Sequence, residues 1–108
     1  MEEIQEVYRG KIVAFSGVWD SGLGYLIIEV NPDTLLSRQI SFPCENGQTV
    51  RALDSCFGGV ITDNHCVDNS AIEGREILFS VDFMNLLEGF TPVEEASEEL
   101  LELETEYI

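Results

Sequence analysis

The amino-acid sequence predicts a mainly β fold, a small five-stranded barrel with the element order β-β-β-α-β-β, followed by an amphipathic C-terminal helix. Three observations carry this expectation. Short segments rich in β-branched and aromatic residues alternate apolar and polar side chains, the pattern of half-buried strands. Turn residues divide them, as in "DSGLG" at 20–24 and "NPD" at 31–33. One stretch, 46–59, changes to a helical period. With 108 residues, 44% of them hydrophobic, the chain fits one globular fold, residues 1–90 as the barrel and 91–108 as a helix or tail.

The first strand lies in "KIVAFSGVW" (11–19), with Val13 and Phe15 on one face and Ile12 and Ala14 on the other. "GYLIIEV" (24–30) groups Leu26, Ile28 and Val30 against Tyr25, Ile27 and Glu29. The glycines of "DSGLG" supply the positive-φ positions of a short hairpin loop. In "RQISFPCE" (38–45), Ile40, Phe42 and Cys44 share a face. Pro43 has no N–H to donate, so it ends the strand or confines it to an edge.

In "NGQTVRALDSCFGG" (46–59), Val50, Leu53 and Phe57 recur at helical spacing. Asn46 or Thr49 serves as N-cap, and Gly58-Gly59 stops the helix. "VIT" (60–62) reads as a brief strand and "DNHCVDNS" (63–70) as a polar loop. "REILFSVDF" (75–83) is the last strand, turning Ile77, Phe79, Val81 and Phe83 inward and Glu76, Leu78, Ser80 and Asp82 outward.

"TPVEEASEELLELETEYI" opens as a capping box, with Thr91 at N-cap, Pro92 at N1 and Glu94 at N3. Val93, Ala96, Leu100, Leu103 and Tyr107 then form one apolar stripe. The like-charge pairs Glu94/Glu98, Glu95/Glu99, Glu98/Glu102 and Glu102/Glu106 oppose it, each by about 0.2–0.5 kcal/mol. Such a helix needs docking to hold.

The order strand, strand, strand, helix, strand, strand is that of an oligonucleotide/oligosaccharide-binding (OB) barrel, with an SH3-like or Sm-like small barrel as the alternative. Gly10-Lys11-Ile12-Val13 with Phe15, followed by Gly22-Leu23-Gly24-Tyr25-Leu26-Ile27, resembles the first hairpin of cold-shock domains. The resemblance covers that hairpin alone and implies a barrel whose face stacks nucleic-acid bases. Ala14 and Ile27 stand where such rings would be sought, and "QISFPCE" offers only Phe42, on its apolar side.

Charge argues against that ligand. Twenty-one acids against five Lys and Arg give a net charge of −16. Residues 94–108 hold seven glutamates and no base, so residues 1–93 keep fourteen acids, five bases and a net −9. Phosphate binding needs clustered cations, whereas Arg9, Lys11, Arg38, Arg51 and Arg75 are scattered. Direct nucleic-acid binding is not expected. A basic protein partner suits the field, and a decoy imitating phosphates is a further possibility. No apolar run approaches membrane-span length, and the acidic start lacks the features of a signal peptide, so a cytoplasmic location is expected.

No GxSxG, phosphate loop or HExxH is present, so neither catalysis nor a cofactor is expected. Three cysteines cannot close a disulfide framework within one chain. Cys44, Cys56, His65 and Cys66 are the candidate ligands for a metal, at spacings that match no zinc pattern. The "TDNHCVDNSAIEG" loop fails the calcium template, lacking its glycine and final glutamate.

Partner binding has two candidate surfaces. Trp19, Asp20 and Tyr25 cluster at the first hairpin tip, where Trp19 either closes the barrel end or presents an aromatic contact. Leu100, Leu101, Leu103 and Tyr107 on the tail would bind a second copy of the chain or a basic partner's groove, or else pack on the barrel itself.

Overall fold

Eleven residues, Val7–Gly17, form β1, and the rest of the sheet is built around it. The computed structural model describes residues 6–19, 24–44, 47–62 and 66–108. The elements are β1, β2 (Gly24–Val30), β3 (Arg38–Cys44), α1 (Gln48–Phe57), β4 (Glu76–Val81), β5 (Leu87–Pro92), α2 (Glu98–Glu102) and β6 (Glu104–Thr105). Neighbours run β3-β2-β1-β4-β5, all antiparallel, and β6 pairs with β1 in parallel. Because Tyr8 faces Phe79 of β4 on one side, its pairing with Thr105 lies on the other. There β6 follows on from β2, whose last residue Val30 pairs with Gly10.

The order β-β-β-α-β-β is present, but the sheet does not close into the expected barrel, whether OB-like, SH3-like or Sm-like. β3 and β5 approach each other without forming a ladder. β3 ends at Pro43-Cys44, and proline offers no N–H to a neighbour. The first turn of α1 stands beside the gap, where Gln48 and Thr49 share a cleft with Pro43 and Leu87.

The fourth and fifth strands are also not those expected. "VIT" contributes one isolated bridge, Ile61 to Val67. The "REILFSVDF" segment is β4, and Leu87–Pro92 supplies the strand that the sequence concealed. Its "LEGFTP" mixes Glu, Gly and Pro, residues depleted in strands, and its pairing with β4 contains a register shift at Ser80/Val81.

Side-chain alternation fails at two places for local reasons. A bulge between Ile12 and Ala14 shifts the β1–β2 register, so Ile12 and Phe15 both enter the core. β4 is buried on both faces, with Leu78 and Ser80 covered as well as Ile77 and Phe79. Phe83, expected inward, lies beyond the strand and is 96% exposed.

The main core joins Ile12, Phe15, Leu26, Ile28, Phe42 and Phe79 with Val50 and Leu53 from α1. The α1 N-cap is Gly47, left-handed at φ 75°, with no side-chain cap; Thr49 lies inside the helix and Asn46 outside the described residues. Gly24 has no positive φ. It is glycine because the Phe15 ring occupies the space of a Cβ, and Gly22 lies outside the described residues.

The single C-terminal helix is replaced by several short pieces. Thr91 and Pro92 end β5, residues 93–95 make a 3-10 turn, and only Glu98–Glu102 is α-helical. Ser97, not Thr91, is its N-cap, accepting a hydrogen bond from the Leu100 N–H. Repulsion along the glutamates leaves a long helix weak. Pairing Thr91 with Leu78 and Thr105 with Tyr8 satisfies the backbone instead.

Candidate interaction surface

Residues 82–86 connect β4 to β5, and hydrogen bonds fix their shape. The Asp82 carboxylate accepts from the backbone N–H of Met84 at 2.8 Å and of Leu86 at 3.0 Å. The Asp82 N–H donates to the Leu86 carbonyl at 2.9 Å, and the Asn85 N–H to the Asp82 carbonyl at 2.9 Å. Asn85 adopts φ 62°, a left-handed position that asparagine tolerates. This turn leaves Phe83 96% and Met84 65% exposed.

At the base of the hairpin is a cleft of ≈ 290 Å³ bounded by Pro43, Gln48, Thr49, Asp82 and Leu86. Pro43 pairs across the sheet with Tyr25, and directly opposed residues share a face. Tyr25 is 42% exposed. Tyr25 therefore shares a sheet face with Pro43, which borders the cleft together with Asp82 and Leu86 at the hairpin base. Phe83 and Met84 are not legible in the sequence as surface contacts, because the apolar alternation of β4 continues to Phe83, two residues past the strand's end at Val81. The spacing of Asp82 and Asn85 around the tip was the available turn signal.

The other expected contact residues are scattered. Trp19 is in the core, its indole N–H buried without a hydrogen-bond partner among the described residues, and the Arg51 guanidinium lies 5.5 Å from its ring. Asp20 lies outside the described residues. Tyr107 is buried in an aromatic group with Tyr8, Phe42 and Phe79, the Tyr8 and Tyr107 centroids 5.0 Å apart and edge-on. Leu100 is half-buried in a cleft with Val7, Leu78 and Phe90, while Leu101 and Leu103 remain exposed.

The candidate metal ligands do not converge. Cys44 is buried and its Sγ donates to the Phe42 carbonyl at 3.4 Å. Burial pushes its thiol up, outweighing hydrogen bonds with the Thr49 side chain and Leu26 backbone. Burial, and then the charge of Glu95, raise Cys56 too. Cys66 is exposed, and His65 lies outside the described residues. Among the described residues no three His, Cys, Asp or Glu side chains gather as a metal would require.

Four cations are engaged within the fold. Arg9 forms a fork with Glu104, Nη2 to Oε1 at 2.9 Å. Arg38 lies over Tyr107, Arg51 over Trp19 and Arg75 over Phe57, each 5.3–5.5 Å from the ring centroid. Among the described residues no helix is long and apolar enough to cross a membrane. No protein-family model, curated protein or solved structure matches this chain.

Proposed function

We propose that this protein is a non-catalytic, acidic protein-interaction module that docks a basic protein through the β4–β5 hairpin tip. The observation that carries the reading is the exposure of Phe83 and Met84 on a turn already held by hydrogen bonds. An ordered aromatic tip loses little conformational freedom on binding, and aromatics anchor interfaces.

Charge selects the partner class. The chain carries −16, and Arg9, Arg38, Arg51 and Arg75 are drawn onto its own carboxylate or rings. The resulting field attracts a cationic surface to the protein and repels phosphates.

The test uses a synthetic amphipathic peptide, Lys/Arg on one face and Leu on the other, titrated by fluorescence anisotropy. Binding should weaken with salt and fall about tenfold, about 1.4 kcal/mol, when Phe83→Ser and Met84→Ser are combined. Equal binding by that variant reduces the attraction to bulk charge and overturns the reading.

A further inference from the structure

The last twelve residues behave structurally as a strap laid into a slot. Four devices hold it, and they act on Glu104, Thr105 and Tyr107. The Glu104 carboxylate takes the Arg9 fork. The backbones of Glu104 and Thr105 pair with Val7 and Tyr8 along the free length of β1. The Asn31 carboxamide pairs with both backbone groups of Tyr107. The Tyr107 ring enters the group of Tyr8, Phe42 and Phe79, with Arg38 across it at 5.4 Å.

The connection to the body is slighter. α2 has no buried residue, and Leu100 is only half-covered. Ala96 and Ser97, between the 3-10 turn and α2, are extended, at ψ 139° and 161°. A segment anchored by its tip and joined through two extended residues can detach as a unit. Detached, it would uncover Leu78 and Val7 on one face and Phe42 and Phe79 on the other, all now buried.

We infer that the slot formed by Arg9, Asn31, Arg38 and the aromatic group is exchangeable, and that its second occupant is the same strap from another copy of this chain. An identical strap restores each of these contacts of the slot, including the acid for Arg9 and the ring for Arg38, so the exchange costs little beyond association. Self-repulsion of two −16 chains opposes it, so salt favours the exchanged dimer. Salt dependence thus runs opposite to that of a basic partner.

Two full-length variants test this by complementation. Asn31→Gly spoils the slot and keeps a sound strap, whereas Tyr107→Ala spoils the strap and keeps a sound slot. Mixed at high concentration and salt, they should give a heterodimer by native mass spectrometry, several-fold above the dimer of either alone. No excess heterodimer from folded variants overturns the inference. Should circular dichroism show either variant unfolded, the unmodified chain is concentrated at high salt. A dimer whose residues 103–107 exchange amide hydrogens as slowly as in the monomer supports the inference. A persistent monomer, or a dimer with those amides unprotected, overturns it. Phe83→Ser should leave the exchanged dimer unchanged, so failure here and failure of the basic-partner reading are separable.

Discussion

The Asn31 side chain pairs with the Tyr107 backbone in both directions, Nδ2 donating to the carbonyl at 2.8 Å and Oδ1 accepting the N–H at 2.9 Å. A carboxamide offers one donor and one acceptor in a plane, as a peptide unit does, and here it extends the sheet past β2. Asn69 does the same on the opposite side of β1. Its Oδ1 accepts the Phe15 N–H at 2.7 Å and its Nδ2 donates to the Phe15 carbonyl at 3.3 Å.

Asn31→Gly keeps the left-handed φ of 51° and removes the clamp. Two lost buried hydrogen bonds should cost about 2 kcal/mol by urea denaturation. Amide exchange should quicken first at Glu104–Tyr107. Uniform loss of protection across the sheet would contradict a local clamp.

Asn69→Ala leaves the part-buried Phe15 N–H without its acceptor. A cost of about 1–3 kcal/mol is expected. Asn69→Asp keeps the acceptor and should recover part of it, measured as the chemical-denaturation midpoint.

Gly24→Ala drives a methyl group into the Phe15 ring, and Gly10→Ala drives one into Ile28. Both neighbours are core side chains without room to yield. Each substitution should destabilise by about 1–3 kcal/mol. Gly89→Ala, where a Cβ meets open space, is the control and should change stability little by thermal melting.

Phe83→Ser with Met84→Ser removes groups that already face water. Folding stability should move by no more than about 0.5 kcal/mol. A large loss would place the hairpin tip in the packing of the monomer rather than in an interface.

Stability should decline at alkaline pH. Burial raises the Cys44 and Cys56 thiols above their unfolded values. The contribution is complete below the unfolded thiol value of about 8.5 and is lost as pH rises through the folded one, because the unfolded chain releases those protons first. Urea midpoints at neutral pH and at about pH 9.5 measure the fall, and Cys44→Ala should flatten it.

The sequence by itself determined the local structure where periodicity and punctuation agree. β2 was legible in "GYLIIEV" because each residue alternates without interruption. α1 was legible because Val50 and Leu53 repeat at helical spacing before Gly58. The acid excess was equally plain, and with it the class of partner now proposed.

Tertiary structure decided the rest, since those features depend on partners distant in sequence. The bulge at Ile12/Ala14 is a property of two strands, and the burial of Leu78 depends on what covers the outer face of β4. The stripe that promised one long helix was divided. Tyr107 gains more in the aromatic group, with Asn31 satisfying its backbone, than a run of mutually repelling glutamates gains from helical hydrogen bonds. Local propensity for the tail was weak in every conformation, so contacts made 76 residues away chose among them.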